Sequence, residues 1–195
     1  MKDTIFALST VPGLSAISVF RISGPNAFLV LKKITKAKVP ENRFASLRRI
    51  FWEEEIIDKC IVIAFNGNDS YSGEKTVEIH CHGSIAIINK IASILTQCGS
   101  ELNIRPAEEG EFTRQAFYNG KMDLIQVEGL SDLLRAETEA QRRISFDSLD
   151  GVVSKKVGVW KSKIMSILAF LEADIDFNDQ DLGDVGVLSM ISDLL

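Results

Sequence analysis

The 195-residue sequence is poor in the residues that build metal and disulfide sites, with three cysteines and two histidines. A zinc site needs at least three protein ligands, and nothing at tight spacing completes a set around His80 and His82, so we predict no metal site. The cysteines, Cys60, Cys81 and Cys98, lie in apolar surroundings, which predicts reduced and mostly buried thiols.

Long hydrophobic runs and an excess of positive charge are also missing. The longest apolar runs, such as residues 61–65, have the length of a strand and cannot span a bilayer. A strand-like pattern begins almost at the first residue, which does not resemble a signal or transit peptide. The net charge of -5 argues against a broad basic face that wraps nucleic acid. Together these features predict a cytoplasmic protein that does not associate with membranes.

Three common nucleotide and catalytic motifs are absent from the sequence. It has no G-x-x-x-x-G-K-[ST] loop, so no P-loop nucleotide site can form from these residues and we expect no GTP hydrolysis by them alone. It also has no G-x-G-x-x-G or G-x-S-x-G motif. The usual Rossmann and hydrolase-elbow interpretations are therefore excluded.

The first hundred residues alternate between strand and helix patterns, which predicts an α+β domain. Apolar strands close to the N-terminus further predict an open sheet edge through which two copies could pair. The predicted strands are residues 3–10, 15–23, 45–52, 55–65 and 75–81, and the predicted helices begin near Pro25 and Ser84.

After Gly110 the strand patterns disappear and only helices are predicted. One long helix is expected from Asp123 to Leu149, with Asp123 and Gln126 as its capping box. The next helix carries an apolar seam from Val153 to Ile175. A new apolar pattern then begins in the last residues, so we interpret the chain as the first part of a longer protein. We place a first domain at residues 1–118 and an incomplete helical domain at residues 119–195.

Three polar residues occupy positions that a purely structural role does not readily explain. Arg21 shares a strand face with Ile17 and Val19, and Glu78 lies in a second alternating strand. Lys121 follows an Asn-Gly turn that interrupts a good helical pattern and gives the next residue a fixed direction. The alternative interpretation is a solvated strand face or structural ion pair for Arg21 and Glu78, and a solvated turn residue for Lys121.

Several long motifs resemble those of one protein family, the MnmE (also TrmE) tRNA-modification GTPases, and they occur in the family's order over essentially the whole chain. The motifs are "DTIFALSTVPGLSAISVFRISGP", "YSGEKTVEIHCHGS", "RPAEEGEFTRQAFYNGKMDLIQVEGLSDLL" and "LEADIDF". The resemblance implies a folate-binding first domain, similar in fold to aminomethyltransferases and built on a mixed sheet. An all-α helical domain follows, into which the family inserts its GTPase domain. Ser84 and the "GEKT" segment differ from the residues that the family usually has at these positions. These differences affect the expected geometry of the loops.

The resemblance also implies a cofactor and the residues that bind it. The family's folate-binding positions fall on Arg21, Glu78 and Lys121, each with the expected residue type, and no catalytic residue is assigned. A tetrahydrofolate derivative, 5-formyl- or 5,10-methylene-tetrahydrofolate, would supply a one-carbon unit for C5 of the wobble uridine of tRNA. The family further implies a homodimer through the first domain, a flavoprotein partner of the MnmG (also GidA) type, and a GTPase that uses GTP, Mg2+ and K+.

Two alternatives to this interpretation are a folate-dependent aminomethyltransferase-like enzyme and a non-catalytic dimerisation module. The first would share the folate site but needs its own catalytic aspartate and a longer folate domain. In the second, the three polar residues would be surface residues without a ligand. Folate titration separates the second alternative from the others, and a P-loop further along the chain would separate the first.

Overall fold

The computed structural model describes residues 3–176, which form two compact units that divide between Met122 and Asp123. The first unit is a six-stranded mixed sheet with helices, and the second is all-helical. This confirms the predicted α+β architecture followed by a helical region. The division lies four residues after the boundary that the sequence predicts.

The elements of the first unit are strands β1 to β6 and helices α1 to α4. The strands are Thr4–Leu8, Ser15–Ser23, Ser46–Trp52, Glu55–Phe65, Thr76–Gly83 and Ile104–Pro106, and the helices are Ala27–Thr35, Ile85–Gln97, Gly99–Leu102 and Glu111–Tyr118. The second unit contains α5 to α7, which span Leu124–Arg135, Glu139–Leu149 and Val152–Asp176.

The strand order in the sheet is β3-β4-β5-β2-β1-β6, with only β1 and β6 parallel. Since β1 lies between β2 and β6, the first strands are not an open edge, and that sequence prediction is wrong. The short strand β6, which the sequence did not indicate, covers the edge. The described edge strands are β3 and β6.

One face of the sheet, the covered face, packs against α1 and α2 to form the hydrophobic core. Alternate residues of β2 and β5, such as Phe20, Ile22 and Ile79, are at most 1% exposed. The alternation predicted from the sequence produces this pattern, because successive side chains of a strand point to opposite faces. The three cysteines are free and buried, as expected, and burial raises the pKa of the Cys81 thiol to about 11.

The opposite face, the open face, carries the other residues of the same strands. Its members include Ile17, Val19 and Arg21 on β2 and Glu78 and His80 on β5, which are intermediate or exposed. Helix α4 lies over one end of this face, where Gln115 bonds to Ser23 of β2. The open face therefore combines polar and apolar side chains that remain accessible.

The single long helix predicted from Asp123 to Leu149 is wrong, because the chain forms two helices there. Ala136 is extended, with φ -66° and ψ 123°, and Thr138 starts α6 with a capping box that includes Gln141. A Thr-x-x-Gln pattern is itself typical of the start of a helix, so the break between the two helices could have been predicted from the sequence. The capping box of Asp123 and Gln126 is confirmed at the start of α5.

Helix α7 begins at Val152 and carries the predicted seam, of which Val153 and Trp160 are 37% and 55% exposed. The predicted apolar pattern after Gly183 lies outside the described residues. Among residues 3–176, no helix is both long enough and apolar enough to cross a membrane.

Candidate functional site

Arg21 and Glu78 form an ion pair in the middle of the open face. They occupy directly opposed positions on β2 and β5. Glu78 Oε1 accepts hydrogen bonds from Arg21 Nη2 at 2.8 Å and from Arg21 Nε at 3.1 Å. The two side chains are 25% and 19% exposed, so the pair is partly desolvated but can be reached from solvent. Both donors use the same carboxylate oxygen, which leaves Oε2 outside this pair.

Two aromatic rings lie beside the Arg21 guanidinium. Its central carbon is 5.2 Å from the centre of the Tyr71 ring and 5.6 Å from the centre of the Phe112 ring. Cations within about 6 Å of an aromatic ring are attracted to its face. Tyr71 comes from the β4–β5 loop, which we define as residues 66–75, and Phe112 comes from α4. Arg21 is therefore oriented by Glu78 and by two other parts of the chain.

His80 lies on the same face, two residues after Glu78 along β5. Its Nε2 atom is buried and has no hydrogen-bond partner among the described residues. The same atom is 3.5 Å from Glu78 Oε2, slightly too far for a good hydrogen bond. The second carboxylate oxygen of Glu78 and the imidazole nitrogen are thus close together with hydrogen-bonding capacity left over.

A buried polar network fixes the β4–β5 loop and α4 against the sheet. Ser23 Oγ on β2 lies 2.7 Å from Ser72 Oγ of the loop and donates to Gln115 Oε1 of α4 at 2.7 Å. All three side chains are at most 1% exposed. Tyr71 Oη also lies 2.8 Å from Thr113 Oγ1 of α4. These bonds connect the loop and α4, which carry the two rings beside Arg21, to β2.

Helix α4 is anchored at its start by a buried carboxylate. Glu111 is 1% exposed and accepts hydrogen bonds from Arg105 Nη2 at 2.7 Å and Nη1 at 2.9 Å. The Glu108 backbone N–H donates a third bond at 2.8 Å. The hydrogen bonds from Arg105 are the main reason why the Glu111 pKa is about 2, well below its usual value of 4.5. This bidentate pair joins β6 to the helix that covers the site.

Lys121 follows the turn that the sequence predicts. Gly120 has a φ of +67°, which is easy for glycine, and the Lys121 N–H donates to Ala116 O at 2.8 Å. The Lys121 ammonium donates to the carbonyl of Asn68 in the β4–β5 loop. Asn119 binds the same loop, donating from Nδ2 to Ser72 O at 2.8 Å. Lys121 and Asn119 therefore both bind the β4–β5 loop. The same loop contains Tyr71, whose ring lies beside Arg21.

His82, the next open-face position of β5, is held by a buried carboxylate. Its Nδ1 atom is 2.7 Å from Asp58 Oδ1, and its backbone N–H donates to Asp58 Oδ2 at 2.9 Å. Burial acts to raise the Asp58 pKa, but the bonds from His82 and Lys59 outweigh it and the pKa is lowered. The Asp58 side chain is 6% exposed, whereas that of His82 is 67% exposed. Among residues 3–176, no group of three metal-ligating side chains has metal-site geometry.

The arrangement around Arg21 has the properties of a site for a polar ring ligand. The carboxylate oxygen of Glu78 that lies outside the ion pair can accept hydrogen bonds from N–H groups of a ring. The adjacent guanidinium and imidazole provide donors for ring or side-chain oxygens. Such groups, fixed on strands and flanked by aromatic rings, are typical of binding sites for heterocyclic small molecules.

Comparison with protein families assigns the chain. The family model for the GTP-binding protein TrmE N-terminus matches residues 4–121, and the MnmE helical domain model matches residues 124–194. The chain belongs to the MnmE/TrmE family. The two matched segments correspond closely to the two compact units of the structure.

Relatives of this family are similar over almost the entire chain. The tRNA modification GTPase MnmE of Caulobacter vibrioides is 43% identical over 182 residues, or 93% of this chain and 40% of the relative. The MnmE of Roseobacter denitrificans is 44% identical, covering 99% of this chain and 44% of the relative. The mitochondrial 5-taurinomethyluridine-[tRNA] synthase subunit GTPB3 of Danio rerio is 43% identical, covering 96% and 37%. The chain therefore spans about two fifths of the length of these curated MnmE/TrmE relatives.

The residues singled out from the sequence differ in how the structure relates them. Arg21 and Glu78 are in direct contact, whereas Lys121 is connected to them through the β4–β5 loop. Sequence reasoning missed Tyr71, Phe112 and Asp58. An aspartate at an inward position of the apolar strand β4 was a signal for Asp58. Tyr71 lies in a polar loop with no periodic pattern, so its place beside Arg21 depends on tertiary structure alone.

Proposed function

We propose that this chain binds a reduced folate on the open face of its first unit and acts in modification of the wobble uridine of tRNA. The observation that carries the proposal is the Arg21–Glu78 pair, with one carboxylate oxygen outside the pair, flanked by Tyr71 and Phe112. Membership of the MnmE/TrmE family supports the assignment to tRNA modification.

The pterin ring of a reduced folate fits the chemistry of this pair. Its neighbouring ring N–H and amino groups would donate to Glu78, whose charge strengthens both bonds. Arg21, held between two rings, would bind a ring oxygen. Lys121 would exchange the Asn68 carbonyl for an oxygen of the ligand, such as that of the N5-formyl group in 5-formyltetrahydrofolate. The folate would supply the one-carbon unit that becomes attached to C5 of the uridine.

The partners of this function belong to the same proposal. We infer a homodimer through the first unit, which exposed apolar residues of this unit support, among them Val11, Leu14 and Phe44. A flavoprotein of the MnmG type would act together with it on tRNA in the cytoplasm. GTP hydrolysis, with Mg2+ and K+, would belong to a GTPase domain elsewhere in the full protein, because these residues contain no P-loop.

Calorimetric titration of 5-formyltetrahydrofolate into the full chain tests the folate site. Glu78→Gln keeps the side-chain shape but removes the charge, and Lys121→Ala removes a donor. Each should weaken binding by roughly 1.5–3 kcal/mol, the range for charge-assisted bonds. Lys38→Ala, at an exposed lysine without an ion pair among the described residues, is the matched control.

Thermal melting of the same variants separates a lost ligand contact from a lost fold. We expect melting temperatures close to that of the parent for Lys121→Ala and Glu78→Gln. If both variants bind the folate as tightly as the parent, the site assignment is wrong. A parent protein that shows no folate binding at all would refute the folate function itself.

A further inference from the structure

The strand register arranges the open face into three successive rows that run across the strands. Opposed residues of antiparallel strands share a face, so the first two rows can be read from the pairing. The polar row consists of Ala7, Arg21, Glu78 and Ile63, and the apolar row of Val19, His80, Ile61 and Leu47. Beyond Ile61 and His80, where β4–β5 pairing ends, the alternation of each strand continues to two separate pairs, Ile17 with His82 and Lys59 with Arg49, which we name together the cationic row.

The apolar row is open to solvent on the β4 and β3 side of His80. Ile61 is 45% exposed and Leu47 is 55% exposed, although the neighbours of Ile61 on the opposite face of β4 are buried. Such a band costs free energy in water unless something covers it. It lies directly between the polar row and the cationic row, so a ligand that contacts both would cover it.

The cationic row contains two positive side chains that lack a neutralising partner. Lys59 and Arg49 are opposed on β4 and β3 and are both exposed. Within residues 3–176, neither side chain forms an ion pair, whereas most other arginines in the first unit pair with a carboxylate. Asp58, the carboxylate that precedes Lys59 in the sequence, is buried and already bonded to His82 and to the Lys59 backbone.

His82 adds an oriented donor or acceptor to this row. With Nδ1 held at Asp58, the other ring nitrogen, Nε2, belongs to a side chain that is 67% exposed. Asp58 has a structural role as well, since it binds the His82 backbone N–H where pairing of β4 with β5 ends at Ile61 and His80. That role explains the buried carboxylate but does not explain the unpaired cations beside it.

We propose that the cationic row binds the carboxylates at the far end of the folate whose ring occupies Arg21 and Glu78. This inference rests on the proposed function. Glu78 and His82 are four residues apart on one strand, a distance of about 13 Å. A reduced folate has a hydrogen-bonding pterin at one end, a p-aminobenzoyl ring in the middle and glutamate carboxylates at the other end. These parts correspond in order to the polar, apolar and cationic rows.

The opposite orientation, with the carboxylates towards Lys121, is disfavoured by what occupies that end. There α4 covers the face through Phe112 and Gln115. The end at His82 is exposed and its cations are unpaired. Charge complementarity therefore assigns the glutamate to the cationic row and leaves Lys121 for an oxygen of the pterin end.

The test compares two ligands that differ only in the tail. The full chain is titrated with 5-formyltetrahydrofolate and with 5-formyltetrahydropteroate, which lacks the glutamate. The parent should prefer the folate, and the double variant R49Q/K59Q should reduce that preference by roughly fivefold to twentyfold, as for two exposed ion pairs. Raising the salt concentration should reduce the preference of the parent but not that of the variant.

Matched variants exclude indirect effects. K32Q/K38Q removes the same charge from exposed lysines outside the cationic row and should keep the preference. His82→Asn places an amide donor near the position of Nδ1, so it keeps the Asp58 bond but removes Nε2. It should lower the preference without lowering the melting temperature.

Four outcomes would overturn the proposal. In the first, R49Q/K59Q leaves the preference for the folate unchanged. In the second, K32Q/K38Q lowers the preference equally, which would show an effect of net charge alone. In the third, sedimentation shows that R49Q/K59Q dissociates a dimer while the preference stays the same, so that a second copy covers the row. If the parent binds neither ligand, the proposed function has failed and this inference fails with it.

Discussion

The two faces of the central sheet come from the same strands but have opposite properties. On the covered face, Ile79 and Phe20 are at most 1% exposed and pack against α1 and α2. On the open face, their chain neighbours Glu78 and Arg21 form a partly exposed ion pair beside two aromatic rings. The covered face provides stability, and the rigidity that it gives the strands fixes the groups on the open face. Stability and recognition are thus divided between alternate residues, and substitutions can test this division.

Removing a side chain from the covered face should have the largest effect on stability. Ile79→Ala should destabilise the protein by about 2–5 kcal/mol, because it opens a cavity in a close-packed core. Ile61→Ala, the same substitution on the open face of the adjacent strand, should cost less than about 1 kcal/mol, since Ile61 is 45% exposed. Urea denaturation measures both. Equal losses for the two variants would contradict the division between the faces.

The ion pair that anchors α4 should give the next largest effect and a pH dependence. Glu111→Gln should cost about 2–3 kcal/mol, because it weakens the bidentate bonds from Arg105. The Glu111 pKa is lowered to about 2 from 4.5. Its stabilising contribution is therefore complete above pH 4.5 and is lost as the pH falls from 4.5 towards 2.

Denaturation curves of the parent and Glu111→Gln, recorded across this pH range, check the sign. The difference in the free energy of unfolding should shrink as the pH falls. Glu109→Gln, a neighbouring exposed carboxylate, serves as the control and should have little effect. A difference between parent and Glu111→Gln that stays constant down to pH 2 would show that the Arg105 bond does not lower the Glu111 pKa.

The turn that ends α4 should produce a moderate effect through the backbone alone. Gly120 has a φ of +67°, and a Cβ atom added there would meet nothing within 4 Å. Gly120→Val should therefore cost roughly 1–2 kcal/mol from conformational strain and not from a clash. Gly120→Asn should cost less, because asparagine tolerates positive φ. Melting curves that show equal losses for valine and asparagine would rule out this explanation.

The smallest effect should come from the ring that orients Arg21. Tyr71→Leu removes the ring and should weaken folate binding by roughly 0.5–1 kcal/mol, the value of an exposed cation–π contact. Tyr71→Phe loses only the bond to Thr113 and keeps the ring, so binding should change little. Folate titration of both variants measures the difference. If Tyr71→Phe binds as weakly as Tyr71→Leu, the hydroxyl and not the ring matters.

The sequence alone determined the fold class, most element positions and the identity of the pair on the open face. Period-two alternation separated Arg21 and Glu78 from the buried positions beside them, because a strand turns successive side chains to opposite sides. The Asn-Gly turn before Lys121 was also readable, since its glycine permits positive φ. These are local features, which depend on the conformational preferences of a few neighbouring residues.

Only the tertiary structure decided which distant residues meet. It joined β2 to β5, which places Arg21 opposite Glu78 although 57 residues separate them. It also brought Tyr71 and Phe112 to Arg21 and paired Asp58 with His82. Strand order and loop packing depend on the free energy of the whole core, which no local pattern contains. Composition and alternation therefore identify the groups on the open face, and the pairing of the strands arranges them into a site.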